Sequence, residues 1–222
     1  MESIAKNQIG PRREGGQKKA LRRASGSERR RQIIDAAATI FSQKGFSGAT
    51  TKEIAAKAGI NEALIFRHFG GKDALHDAVV EDRFEDIGNT ELRSELRQAA
   101  EQKDDEAVFR TAATILFHRY QSERDVLRIL IYGILEQRKF VVERFENELK
   151  PLSDLLADYI NARNADGDLT CGDAELAVFG FIGMVAHHAT VGELMRSDRD
   201  MPGAEEAARV YSEIFLKSLR KC

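Results

Sequence analysis

Between Thr51 and Phe66, three residue types fall at a spacing with a specific use. Two short helices that cross near a right angle need a small residue at the crossing, and Ala55 supplies it. The tight turn between them favours positive φ, which Gly59 adopts at little cost. Ile60 and Ile65 can then fold back onto Ile54 to seal the pair, and Asn61 is a good N-cap for the second helix. The chemistry such a unit performs is hydrogen bonding rather than bond breaking. A short helix over 61–66 would enter a major groove with the side chains at its start against base edges, while flanking ones hold phosphates. An ordinary helical hairpin could carry the same Ala, Gly and Ile.

Other chemistry finds little support. There is no Gly-rich phosphate loop after a strand, no nucleophile elbow and no convincing Ser/His/Asp set, so no catalytic residue is expected. His187 and His188 are adjacent, and their side chains diverge on a helix; His118 is isolated. Cys171 and Cys222 form neither a disulfide framework nor a zinc pattern. No metal or cofactor is expected. The carboxylates from Glu81 to Glu106 read as solvated helix faces.

The elements that must position the 51–66 segment are helices. Only Pro11, Pro151 and Pro202 interrupt the chain, and no sustained apolar/polar alternation marks a strand. The reading is all-α. Residues 1–27 are basic and Gly-rich and should be a disordered arm, either an inert tail or a segment that binds the DNA backbone or minor groove. Order should begin near Ser27, with Ile33, Ile34, Ala37, Ile40 and Phe41 at helical spacing and Gly45 as the stop. A second helix should open on a cap at Thr50 or Thr51 and run to Ala58; a third covers Asn61–Phe66; a fourth starts near Lys72. Longer helices are expected near 73–87, 91–101, 105–121, 124–137, 140–163, 173–195 and 203–220, with Pro151 kinking or splitting the fifth of these and a loop at 164–168.

Charge divides the chain in the same way. The 222 residues carry a net charge of −2, but residues 1–72 hold 15 Lys/Arg against 6 Asp/Glu, and residues 73–222 hold 19 against 30. A front of net +9 and a back of net −11 suggest a polyanion-binding end and a separate body. The domain reading is therefore an arm at 1–27, a helix-turn-helix unit at 28–72 and a helical body at 73–222. At 42% hydrophobic residues the chain can bury a sizeable core. No apolar stretch near Met1 resembles a signal peptide, and the longest apolar run, Ala177–Ala186, is about half the roughly 20 residues that span a bilayer. A cytoplasmic protein without a membrane partner is expected.

The run Ala58-Gly59-Ile60-Asn61-Glu62-Ala63-Leu64-Ile65-Phe66-Arg67-His68-Phe69-Gly70-Gly71-Lys72-Asp73-Ala74-Leu75 resembles the signature of the TetR family of transcriptional regulators. The upstream residues Ile34–Phe41, Lys44-Gly45-Phe46 and Ala49-Thr50-Thr51 through Ile54-Ala55 are similar to the same family; the strong resemblance covers about 29–80. It implies a three-helix DNA-binding domain, a helical effector-binding body, a homodimer, and repression relieved by a small molecule. It places Thr50 or Thr51, His68 and Lys72 at backbone contacts, within a candidate interface of Thr50, Thr51, Asn61, Glu62, Ala63, Leu64, Phe66, Arg67, His68 and Lys72. Three of these depart from the family pattern. Phe66 replaces the usual tyrosine and loses a hydroxyl for phosphate; Leu64 replaces a usual threonine and could touch a thymine methyl. Glu62, where a basic or polar residue is common, either accepts from cytosine N4 or is only a solvated charge.

For the body, small residues at every third position (Ala177, Gly180, Gly183, Ala186) are read with His187 and the final helix (Val210, Ile214) as a dimer interface, against the alternative of intramolecular packing. Phe109, Phe117, Tyr120, Tyr132, Phe140, Phe145, Phe179 and Met184 are candidate walls of an apolar effector pocket, although aromatics at helical spacing are more often plain core. The expected partners are double-stranded DNA, a second copy and a small-molecule effector. The alternatives to a ligand-responsive repressor on a palindromic operator are an architectural DNA-binding protein without ligand and a helical enzyme.

Overall fold

A computed structural model of the chain describes residues 25–85, 90–121, 124–194 and 202–220. Their regular structure is helical throughout: α1 (Gly26–Gly48), α2 (Thr51–Ala58), α3 (Ala63–Phe69), α4 (Lys72–Glu85), α5 (Thr90–Glu101), α6 (Asp105–Gln121), α7 (Arg124–Leu135), α8 (Lys139–Asp166), α9 (Ala174–Leu194) and α10 (Ala204–Leu219). Most of the arm, residues 1–24, lies outside the described residues.

Helix α1 is capped by Ser25, two residues before Ser27, where order was expected to begin. Ser25 accepts from the Glu28 N–H while the Glu28 carboxylate accepts from the Ser25 N–H, a reciprocal box that satisfies two otherwise unpaired donors. Gly45 breaks the helix at φ 70°, ψ −179°, and one further turn reaches Gly48. Thr50, not Thr51, caps α2, again through a box, with Glu53.

Two apolar cores result. The first gathers Ile33, Ile34, Phe41, Ile54, Ala55, Ile65, Leu75 and Val79 from α1 to α4, and it also takes Val126, Ile129 and Leu130 of α7 and Val141 of α8. The second fills the body, with Phe109, Phe117, Leu156, Ile160, Phe181 and Phe215 among its members. Helix α7 thus belongs to both halves of the molecule.

Pro151 does not split its helix. It lies exposed inside α8, so the carbonyl it deprives of an N–H partner, that of exposed Asn147, can meet solvent instead. Helix α8 also continues through most of the expected 164–168 loop and stops at Gly167, in the left-handed region at φ 86°. At this end Arg163 bonds Asp105, Asp166 and Asp168, and Tyr159 donates to Asp105, tying α8 to the start of α6. Burial pushes the Asp105 carboxyl up, but the Arg163 and Tyr159 hydrogen bonds outweigh it and hold the group below the usual carboxylate range.

Candidate nucleic-acid interface

The α2–turn–α3 unit forms as its spacing requires. Ala55 and Ile54 are buried, Gly59 takes φ 63°, and the Ile60 N–H donates to the Ala55 carbonyl at 3.0 Å. The Gln32 amide, from α1, donates to the last carbonyl of α2, Ala58, at 2.6 Å. Ile65 is fully buried beneath α3, which leaves the opposite face outward. Ala63, Phe66 and Arg67 are exposed, Phe66 by 51%, and Glu62 and Leu64 are half-buried.

Several polar groups of this surface are already engaged. Asn61 Oδ1 accepts from the Ala63 N–H at 2.8 Å, so Asn61 pins the start of α3 one residue earlier than the Glu62 cap position and keeps only its amide N–H groups free to donate outward. Thr51 Oγ donates to Glu62 Oε1, joining the first turn of α2 to the start of α3. Thr50 is held in its box; the Lys44 and Thr50 hydrogen bonds keep the Glu53 carboxyl below the usual carboxylate range. The Lys72 ammonium donates to the carbonyls of Phe46 and Ala49 at 2.9 and 3.1 Å and sits 4.2 Å from the Phe46 ring centroid. Two of its three N–H groups are therefore spent on ending α1. His68 turns Nε2 inward, enclosed and without a hydrogen-bond partner, which leaves Nδ1 for any outside contact. Of the N-terminal arginines, Arg31 pairs with Asp35 and Asp82, and Arg30 lies over the Phe69 ring at 5.2 Å.

Behind the interface runs a row of polar side chains along α7. Ser42 Oγ donates to Asp125 at 2.7 Å, and Arg128 Nε donates to the Ser42 carbonyl at 2.8 Å. Tyr132 donates to the Gln43 carbonyl at 3.3 Å. The Glu136 carboxylate accepts the N–H groups of Phe46 and Ser47 at 2.9 and 3.1 Å. Asp125, Arg128 and Tyr132 recur at helical spacing in an otherwise apolar α7, and Glu136 follows one residue past its end, a signal legible in the sequence. Tyr132 is thus part of a seam between α7 and α1 rather than a pocket wall.

The family models agree with this geometry at both ends. That of the bacterial regulatory proteins of the tetR family matches residues 33–79, and that of the AefR-like transcriptional repressor C-terminal domain matches residues 113–216. The chain belongs to the TetR family. As a TetR-family protein it is a DNA-binding transcriptional regulator. It is 26% identical over 195 residues to the HTH-type transcriptional regulator YvkB of Bacillus subtilis, covering 85% of this chain and 96% of that one. Its fold is that of a tetR-family regulatory protein from Rhodococcus RHA1 (TM-score 0.65, 19% identity, 90% and 100% of the two chains). It is likewise similar to the transcriptional regulator FadR of Bacillus subtilis, solved in complex with stearoyl-CoA (TM-score 0.60, 17% identity, 84% and 97%).

In the TetR-type body the expected pocket residues do not converge. Phe109 is packed solid against Tyr159, Phe181 and Phe215. Phe117 packs against His188 and Tyr211 and also lines a separate cleft of about 510 Å³ with Thr114, His118 and Ala204. Phe140 is 36% exposed beside α4, and Met184 packs on the body core. The side chain of Tyr120 lies outside the described residues. Phe145 and Phe179 both line an open groove of about 930 Å³ between α8 and α9, which also carries Glu146, Asp154, Asp158 and Glu175. Helical spacing puts an aromatic on a face; it does not say whether that face meets core, groove or solvent.

The small-residue stripe also needs correction. A step of three residues falls short of a 3.6-residue turn, so Ala177 and Ala186 end half a turn apart and both pack on the body core. Gly180 and Gly183 lie between them and are exposed, with His187, Leu176 (65%) and Phe179 (75%). On α10 Ile214 is 52% exposed and Val210 half-buried. His188, by contrast, is buried, its ring nitrogens 3.0 Å from the Tyr211 hydroxyl and 3.1 Å from the Pro202 carbonyl oxygen. Helix α9 is long and apolar enough over Ala174–Gly192 to cross a membrane by composition, and 39% of it is buried against its neighbours.

Proposed function

We propose that this chain is a ligand-responsive repressor that binds a palindromic operator as a cytoplasmic homodimer and is released by a small-molecule effector. The observation that carries the reading is the α7 seam. A helix that shares its apolar side with the DNA-binding core and its polar row with the α1 terminus transmits any displacement of the body to α1–α3. The domain division at Lys72 is kept as a functional one, with the seam as the coupling across it. The exposed α9–α10 face, centred on Gly180, Gly183, Phe179 and Ile214, is assigned to the second copy. Pairing there would set two copies of α3 roughly 34–36 Å apart, one DNA turn. Thr50, Thr51, Asn61, Glu62, Ala63, Leu64, Phe66, Arg67, His68 and Lys72 are the proposed DNA-facing set, with Lys72 and His68 each limited to the donor left over from internal packing and the hydroxyl protons of Thr50 and Thr51 already given to Glu53 and Glu62. The complex of FadR with stearoyl-CoA supports an effector with a long apolar part.

The test is a titration of the DNA upstream of the chain's own gene, with mass determination of the complex. A shift at low salt with two chains per site is expected, reversed by an acyl-CoA or another apolar effector. No shift with protein in excess would overturn the reading. By linkage, the effector must weaken DNA binding by the same factor as DNA weakens effector binding.

A further inference from the structure

Thr51 and Glu62 form a unit that the capping of the helices does not require. Thr50 already caps α2 through Glu53, and Asn61 already satisfies the Ala63 N–H at the start of α3. The Thr51 hydroxyl is therefore spared from helix capping, and it is spent on the Glu62 carboxylate. Among the described residues no lysine or arginine pairs with Glu62, so its charge is fixed in place without being neutralised. The bond uses one carboxylate oxygen. The second oxygen, Oε2, has no hydrogen-bond partner among the described residues.

We infer that Glu62, positioned by Thr51, sets the base preference at one position of each operator half-site, selecting a cytosine. The inference rests on the proposal that α3 enters the major groove. An ionised carboxylate can only accept hydrogen bonds. The groove offers it donors at cytosine N4 and adenine N6, and only acceptors at guanine O6 and N7 and at thymine O4. The acceptor edges repel it. Adenine places its N7 acceptor beside the N6 donor, a pattern an amide matches and a carboxylate does not. Cytosine N4 is the edge that a fixed carboxylate can satisfy. Specificity is a difference of affinities, and much of this difference comes from rejection of the wrong edges. A negative group also costs affinity for every phosphate-lined site. Glu62 thus lowers non-specific binding as it sharpens the specific one.

The experiment is selection of bound duplexes from a randomised pool at fixed salt, using the full chain and its Glu62→Gln, Thr51→Val and Thr51→Ser variants, each first checked for an unchanged thermal melt. The wild type should enrich a palindrome with cytosine at one position per half-site. Glu62→Gln, nearly the same shape without the charge, should lose about ten-fold of the preference there. It should keep the other positions and bind random duplex more tightly. Thr51→Val should weaken the same preference, and Thr51→Ser should restore it. Identical base preferences in Glu62→Gln would overturn the inference, as would a uniform loss of affinity at all sequences, which would make the pair purely structural. If the wild type enriched no sequence, operator binding itself would fall and this inference with it.

Discussion

Gly45 lies so close to Glu136 that a β-carbon on it would stand 2.7 Å from the Glu136 carboxylate, and 2.8 Å from the Tyr132 ring. The backbone of Gly45, at φ 70° and ψ −179°, is in a region that only glycine occupies readily. The break in α1 therefore brings the N–H groups of Phe46 and Ser47 onto Glu136, and it is where the DNA-binding unit meets the body. Gly45→Ala should cost about 3 kcal/mol from backbone strain and displacement of the two side chains. It should lower the melting temperature and weaken DNA binding beyond what the loss of folded protein explains. A variant as stable as the parent would show that the seam yields easily and would remove the basis for coupling through it.

Close by, His76 is buried with its ring edge-on to Phe41 at 4.8 Å and Phe46 at 5.3 Å, and its Nδ1 has no hydrogen-bond partner. Burial and the Arg138 charge push its pKa below the ordinary 6.5, against the opposing pull of Asp77 and Glu136. The unfolded chain takes up this proton near 6.5, and the folded chain only at lower pH. The stability contributed is thus full above 6.5 and is lost as the pH falls through the folded value. His76→Phe should unfold at the same urea concentration as the parent, or a higher one, at pH 7.5. It should gain on the parent steadily below pH 6.5. Parallel pH profiles for the two proteins would contradict this account.

The helix-turn-helix was legible because its determinants are local: Ala55, Gly59 and Ile65 act within one turn and two short helices. The Ser25–Glu28 box is equally local: serines stand at 25 and 27, and only Ser25 has a glutamate three residues on. What was not legible depends on partners distant in sequence. Nothing near Lys72 announces that its ammonium is held by the carbonyls of Phe46 and Ala49, 26 and 23 residues away. Tyr132 and Phe109 look alike as aromatics on apolar helices. One bonds the Gln43 carbonyl at the seam and the other is sealed in the body. Pro151 was read as a break because the penalty is intrinsic to proline, whereas an exposed position on a long helix makes it tolerable.

Phe179 provides the test of pairing. It is 75% exposed beside Gly180 and Gly183 on α9, and none of the body core depends on it. A charge there should leave the fold intact and oppose burial against a second copy. Phe179→Glu should sediment as a monomer at concentrations where the parent is a dimer, with an unchanged helical spectrum. Its affinity for a palindromic site should fall to that of a single half-site. A variant that remains dimeric would move the interface away from this face.

The remaining question is the arm, and the structure changes how it must be cut. Residues 1–24 carry seven Lys/Arg against two acidic residues. Removing 1–27, the segment suggested by composition, would also remove Ser25 and with it the box that starts α1, at about 1 kcal/mol. Lost stability would then be mixed with lost contacts. Deleting 1–24 keeps Ser25, Glu28 and the helix. If the arm follows the DNA backbone, the slope of log K against log salt should shrink by about 0.9 for each phosphate contact removed, with a ceiling of about six for seven basic residues. Base preferences should stay the same, since phosphate contacts position the protein without reading sequence. An unchanged slope would make the arm an inert tail. The backbone affinity would then have to come from groups such as Lys52, Lys57 and Arg67, all exposed on α2 and α3.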